Sequence, residues 1–155
     1  MRSLLRACLV IRNATAGDSE PIARLVSGLG YPTSGRQMRR RLRLIVRDDE
    51  YETLVACDDR QVVGFIGTRI GRLYEADEQY GQIMALAVTG DYQRRGIGRL
   101  LIQAAESSLL GRGARVLVVT SGNRRADAHA FYEKCGYTFT GRRYRKSPSG
   151  HEERT

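Results

Sequence analysis

Ala87-Val88-Thr89-Gly90-Asp91-Tyr92-Gln93-Arg94-Arg95-Gly96-Ile97-Gly98-Arg99-Leu100-Leu101 decides how this chain is read. An apolar, strand-like run from Ile83 to Val88 leads into it, a glycine-punctuated basic loop follows, and an amphipathic helix opens at Gly96. The glycines at 96 and 98 lack a Cβ where the backbone must turn sharply and come close to another group. The N–H groups of a helix's first turn point outward at the positive end of its dipole, which makes that end a seat for phosphate. Arg94, Arg95 and Arg99 add positive charge around the seat. The stretch reads as a strand–loop–helix unit that holds a phosphorylated ligand.

Its spacing separates it from the common nucleotide loops. A P-loop needs Gly-x-x-x-x-Gly-Lys-Ser/Thr, and here both the lysine and the hydroxyl residue are missing; a dinucleotide fold needs Gly-x-Gly-x-x-Gly, and only Gly96-x-Gly98 is present. The pattern that does match is Gln/Arg-x-x-Gly-x-Gly/Ala, filled by Gln93, Arg94, Arg95, Gly96, Ile97 and Gly98. It resembles the acetyl-CoA pyrophosphate loop of the GNAT superfamily of N-acetyltransferases.

A chain of 155 residues suits one domain with one core, read here as residues 1–155 with a flexible leader (1–8) and tail (146–155). The opening residues look faintly like a signal peptide, but Arg6 and Arg12 interrupt the apolar stretch. A first strand around Leu9 to Arg12 is the better reading. No stretch reaches membrane-spanning length. Cys8, Cys57 and Cys135 are odd in number and carry no metal or redox spacing, which points to reduced thiols in a cytoplasmic protein without a bound metal. The net charge of +9 comes almost wholly from arginine, since Lys134 and Lys146 are the only lysines. It favours anionic ligands, and coenzyme A is one.

Element by element, Asp18 reads as the N-cap of a first helix whose inner face is Ile22, Leu25, Val26 and Leu29. A second helix runs from Ser34 toward Arg47 on the stripe Met38, Leu42 and Ile45. Glu52–Cys57 and Val62–Ile70 are strands joined by the turn Asp58-Asp59-Arg60, and Tyr80–Thr89 is the strand before the loop. The helix after the loop buries Leu100, Leu101, Ala104, Ala105 and Leu109. Val116–Thr120 is the run expected of a buried parallel strand. Arg125–Cys135 is a helix stopped by Gly136, and Tyr137–Tyr144 is expected to close the sheet as a strand or hairpin arm. The fold class is α/β, a central, mostly antiparallel mixed sheet flanked by about four helices, in the order that GNAT proteins share.

A second motif, Phe131-Tyr132-Glu133-Lys134-Cys135-Gly136-Tyr137, resembles the GNAT signature Phe/Leu-Tyr-Glu-Lys-x-Gly-Phe/Tyr. The resemblance implies acetyl-CoA as co-substrate and a primary amine as acceptor. Such an amine is protonated below a pH of about 10, so its proton must be removed. The departing thiol, with an ordinary pKa of about 8.5, tolerates a weak acid as donor. Tyr132 is the acid that the resemblance implies; from the residues alone, an aromatic there reads as core. Phe131 stands beside it. By the same resemblance, Leu86, Ala87 and Val88 offer backbone groups to pantetheine and to the thioester carbonyl, whereas without it Leu86 and Val88 are buried strand residues. Residues 94–99 wrap the pyrophosphate chiefly by main-chain N–H. Any single arginine among them is either a phosphate partner or a solvated charge.

One position departs from the family. Where many relatives place an Asn seven residues before the Tyr, this chain has Arg125, and the nearest Asn is Asn123. Either Asn123 reaches the pantetheine arm from the loop, or Arg125 takes its place. His129 is a pocket contact or a packing residue. No general base declares itself, and Glu75, Asp77 and Glu78 are the nearest acids by connectivity. The acceptor would enter beside the first two helices, where Tyr31 to Arg43 are strongly basic, an argument against a polycation. A non-catalytic acyl-CoA-binding module is the alternative. Nucleic-acid binding is disfavoured because no aromatics interleave with the arginines. An edge strand near the C-terminus would allow a homodimer.

Overall fold

The computed structural model describes residues 9–121 and 126–148. The leader (1–8), Asn123, Arg125 and the end of the tail (149–155) lie outside the described residues. Contacts divide the chain into two compact units, one ending at Val118 and the other beginning at Val119.

The first unit opens with β1 (Leu9–Asn13), a 3-10 turn (Ala16–Asp18) and α1 (Ser19–Gly28). Asp18 does stand at the N-cap of α1, but its side chain makes no cap bond to that helix. The 3-10 turn is inserted there, so the carboxylate turns back, accepting from the Thr15 N–H at 2.8 Å. Both terminal nitrogens of Arg12 also donate to it, each at 2.9 Å. This bidentate pair, with the backbone donor, holds the Asp18 carboxyl below the usual aspartate range.

Helix α2 (Gly35–Ile45) starts one residue after Ser34, which stands at its N-cap, and ends at Ile45 rather than near Arg47. The Ser34 hydroxyl accepts from the Gln37 N–H at 3.2 Å while the Gln37 side chain accepts from the Ser34 N–H at 2.9 Å, a reciprocal capping box. Strands β2 (Tyr51–Asp58), β3 (Gln61–Arg72) and β4 (Gln79–Val88) follow, then a 3-10 turn (Gly90–Tyr92), α3 (Ile97–Gly111) and β5 (Ala114–Val119). The sheet runs β1-β2-β3-β4-β5, with β1 to β4 pairing antiparallel. Because β5 returns beside β4 after the α3 crossover, the sheet is mixed.

Two register shifts bend this sheet. Ala56 pairs with Gly64 but Cys57 with Val62, which leaves Val63 as an extra residue on β3. Gly67 pairs with Ala85 but Thr68 with Ile83, which leaves Met84 extra on β4. Such bulges kink a strand and increase its twist.

One face of the sheet is covered by α1 and α2. Ile22, Ala23, Leu25, Met38 and Leu42 pack there with Val55, Cys57, Val62 and Phe65, and Ala85 and Ala87 of β4 point into the same cluster. Leu101 of α3 lies instead against Gly64, which faces opposite to its neighbour Phe65, and Leu109 lies against Gly81. The buried stripe of α3 is Ile97, Leu101, Ile102, Ala105 and Leu109; Leu100, expected inside, is exposed and Ile102 takes its place. Val116, expected within a fully buried strand, is also exposed.

The second unit contains α4 (Ala126–Lys134). The run Tyr137–Tyr144 forms no strand, and Phe139 and Tyr144 are 81% and 87% exposed. Arginines at 142, 143 and 145 break the apolar alternation that a half-buried strand requires. The C-terminal edge on which a dimer reading rested is therefore not formed there. Among the described residues no helix is long and apolar enough to cross a membrane.

Two substitutions test these constraints. Asp18→Ala is expected to lower unfolding free energy at pH 7 by about 2 kcal/mol, through lost turn capping and an unpaired Arg12. Because the Asp18 pKa is depressed from 3.8 in the fold, its stabilisation is complete above that value and is lost as pH falls through the lower folded value. The gap between variant and parent in urea titrations should therefore close in strong acid. A Cβ added at Gly81 falls 2.7 Å from the Leu109 Cδ1 and 3.1 Å from its Cβ, in a fully buried site. Gly81→Ala is expected to cost about 1–3 kcal/mol by overpacking, read by the same titration.

Candidate active site

The site begins where β4 gives way to α3. On one edge, Leu86, Ala87 and Val88 pair with Ile66, Phe65 and Gly64 of β3. The next N–H, that of Thr89, donates to the bulged Val63 carbonyl at 2.8 Å. The β3 bulge thus extends the pairing by one residue and fixes where the loop leaves the sheet. The Tyr92 N–H then donates to the Thr89 carbonyl at 2.8 Å, closing the 3-10 turn.

Side chains hold the loop from both sides. The Tyr92 hydroxyl donates to Asp58 Oδ2 at 2.8 Å, tying the loop to the β2–β3 turn. That bond favours the neutral phenol and raises the Tyr92 pKa above its ordinary value. The Arg95 guanidinium sits 5.0 Å from the Tyr92 ring centroid. Gln93 folds back, its Nε2 donating to the Val88 carbonyl at 3.1 Å. Ile97 is buried, so its side chain anchors the helix start in the core and leaves only its backbone to the loop.

Backbone conformation does the rest. Arg94 has φ 61° and Gly96 has φ 84°, two left-handed residues around Arg95. The first helical hydrogen bond of α3 runs from the Leu100 N–H to the Gly96 carbonyl at 3.1 Å, and no side chain caps the helix. The Ile97 and Gly98 N–H groups precede that bond, at the positive end of a helix of 15 residues. A Cβ built on Gly96 meets no atom within 4 Å, so the space beside this end is open. Arg94, Arg95 and Arg99 are exposed around it. The arrangement can take a phosphate or pyrophosphate, as the sequence pattern predicts.

Within the second unit, Tyr132 is set by the end of α4. The Tyr137 N–H donates to the Tyr132 carbonyl and the Gly136 N–H to the Glu133 carbonyl, both at 3.0 Å, with Gly136 at φ 93°. This is a Schellman motif, which explains Gly136 and Tyr137 in the second sequence signature physically. The hydrophobic contact that accompanies such motifs is also present: the Tyr132 and Tyr137 ring centroids lie 6.0 Å apart, edge to face. Phe131 meets Tyr132 from the other side at 5.4 Å. Tyr132 is half-buried, as is His129.

Asn123 and Arg125 lie outside the described residues, so their two readings stand where the sequence left them. Glu75, Asp77 and Glu78 are all exposed on the β3–β4 loop. Sequence reasoning missed the Tyr92–Asp58 tie. Tyr92 stood in the quoted loop, but no local signal links it to a residue 34 positions earlier.

The acetyltransferase (GNAT) family model matches residues 20–137. An uncharacterised N-acetyltransferase of Chlorobaculum tepidum is 28% identical over 127 residues, covering 82% of this chain and 74% of that protein. An aminoglycoside N(6')-acetyltransferase type 1 of Stenotrophomonas maltophilia is 28% identical over 143 residues, covering 90% and 92%. The solved aminoglycoside N-acetyltransferase AAC(6')-Iy in complex with CoA superposes with a TM-score of 0.78 at 19% identity, covering 89% of this chain and 94% of that one. This chain therefore belongs to the GNAT acetyltransferase family and is an acetyl-CoA-dependent acyltransferase.

Because nothing crowds Gly96, replacing it tests conformation rather than fit. Gly96→Ala is expected to cost about 1–2 kcal/mol from the left-handed backbone alone. It should also weaken acetyl-CoA binding, measured by titration calorimetry; unchanged affinity would remove this turn from the binding site.

Proposed function

We propose that this enzyme transfers the acetyl group of acetyl-CoA to a primary amine by direct attack, within a single catalytic domain. The observation that carries the reading is the uncapped N-terminus of α3 behind the left-handed Arg94 and Gly96. Acetyl-CoA supplies the activated thioester when bound. Residues 93–99 hold its pyrophosphate, with the Gly98 and Ile97 N–H groups as donors and Arg94, Arg95 and Arg99 as surrounding cations. Backbone groups of Leu86, Ala87 and Val88 orient the pantetheine arm and the thioester carbonyl. Phe131, with either Asn123 or Arg125, completes the cofactor contacts.

Tyr132 serves as the general acid that delivers a proton to the leaving sulfur. The Schellman turn and the flanking rings of Phe131 and Tyr137 restrict its rotamers, which is the positioning such a donor needs. The acceptor is a small-molecule or peptide amine; the Stenotrophomonas relative, named for aminoglycosides, supports an amine acceptor. The free thiols of Cys57 and Cys135 fit a reducing, cytoplasmic setting.

Tyr132→Phe separates chemistry from binding. Loss of the acid is expected to lower kcat about 10²–10⁴-fold. Acetyl-CoA affinity by calorimetry should stay near that of the parent. A kcat within threefold of the parent, in an acetyl-CoA hydrolysis or amine-acetylation assay read by free thiol, would rule out Tyr132 as the acid. Absence of acetyl-CoA binding by the parent protein would overturn the whole reading.

A further inference from the structure

The positive charge of this chain is segregated. Residues 21–47 hold seven arginines and no acid, and so carry seven of the nine net charges. The structure gathers six of these arginines on α2 and the turn after it: Arg36, Arg39, Arg40, Arg41, Arg43 and Arg47, all exposed. Arg41 donates to the Thr33 hydroxyl at 3.2 Å. Among the described residues none of the six pairs with a carboxylate, unlike Arg12, which pairs with Asp18, and Arg69, which pairs with Glu50. Like charges three and four positions apart on a helix repel one another, and the buried residues of α2, Met38 and Leu42, do not require them.

Helical periodicity orders them. With Met38 and Leu42 turned inward, Arg36, Arg40 and Arg43 form a row along the outer side, which Arg47 continues past the last turn. At 1.5 Å per residue the helical part of this row is about 10 Å long. Leu44, 69% exposed, and Val46, 50% exposed, flank the row on its two sides.

We propose that this face of α2 docks an acidic polypeptide that carries the acceptor amine. The proposal rests on the reading of the chain as an amine acetyltransferase. Charge complementarity requires an anionic partner, and the flanking aliphatic groups choose among the anions. A carboxylate-bearing helix or strand has apolar side chains to set against Leu44 and Val46 while its acids meet the guanidinium row two-pronged. A nucleic acid would engage the arginines through its phosphates, but a phosphate backbone has no apolar side chains to set against Leu44 and Val46. A lipid surface would attract the arginines through anionic headgroups, but the apolar face of α2 that would insert beside them is buried in the core. The same field repels a polycationic amine and steers an acidic one toward the enzyme, with a strong salt dependence.

The test uses the full chain and the triple variant Arg36→Gln, Arg40→Gln, Arg43→Gln. Fluorescence anisotropy compares a labelled glutamate-rich helical peptide, a lysine-rich peptide, a duplex DNA and phosphatidylglycerol vesicles, at low and physiological salt. The glutamate peptide is expected to bind most tightly and to lose roughly tenfold in affinity in the triple variant. With acetyl-CoA present, its free amino terminus should be acetylated about tenfold faster than that of the lysine peptide, read by mass. Weak glutamate binding, undiminished binding by the variant, tighter binding of DNA or vesicles, or equal acetylation of the two peptides would each overturn the proposal. Acetyl-CoA calorimetry on parent and variant runs alongside, with equal affinities expected. If the parent fails to bind acetyl-CoA, the enzyme reading falls and the proposal, which depends on it, falls with it; if it binds and only the peptide arms fail, the acceptor inference alone is lost.

Discussion

The central constraint is a short junction: the chain must leave β4 at Val88 and enter α3 at Ile97, reversing direction while its backbone donors stay open. Open donors at a helix end are unfavourable unless water or a ligand meets them. The fold maintains them by fixing both ends of the junction firmly. At the strand end, the bulged Val63 carbonyl takes the Thr89 N–H; at the helix end, the buried Ile97 pins the first turn. Between them, Tyr92 is tied to Asp58, and the two left-handed residues make the turn. Bulges placed beside functional strands are a recurring way of re-aiming a backbone, and here one on β3 and one on β4 bracket the last residues of β4 before the loop.

What could be read from the sequence followed how local each interaction is. The Ser34 cap, the loop pattern and the stop at Gly136 depend on neighbours within a few positions, and each shows in the residue order. The Met84 and Val63 bulges depend on which residue of a partner strand lies opposite, and no residue type announces that. The same distinction explains Asp18. Its residue type and position matched an N-cap, but the 3-10 turn inserted before α1 directs its carboxylate to Thr15 and to Arg12 of β1 instead. On α3, Leu100 and Ile102 are equally apolar, so only packing against the sheet could decide which one is buried. The run from Tyr137 to Tyr144 is expected from the element order as a closing strand or hairpin arm. Three arginines within four positions prevailed, because the alternation that buries one face is broken.

The two sequence signatures also differ in what they accomplish physically. The first leaves a helix N-terminus uncapped behind a glycine that is needed for a left-handed turn. The second is mainly a helix terminator: glycine at 136 for the left-handed position and an aromatic at 137 to pack against position 132. Read this way, Tyr132 is the residue that the motif immobilises, and its reactivity would follow from restricted geometry rather than from neighbouring charge. The family resemblance supplied a role; the Schellman geometry supplies a reason why that position, rather than Phe131 next to it, is held.

Arginine is this chain's usual base, which alone would make a high positive charge uninformative. The distribution is the informative part. Outside residues 21–47 acids and bases nearly balance, and four acids crowd into residues 48–52 directly after the basic segment. A compositional bias raises arginine everywhere and does not remove acids from one helix. A helix that tolerates repulsion along its solvent face, while its buried face would be equally served by neutral residues, bears a cost that its own fold does not repay. An acidic partner lying against it would offset that cost, and on the proposal made above the outer row of α2, rather than the β4–α3 loop, would distinguish one acceptor from another.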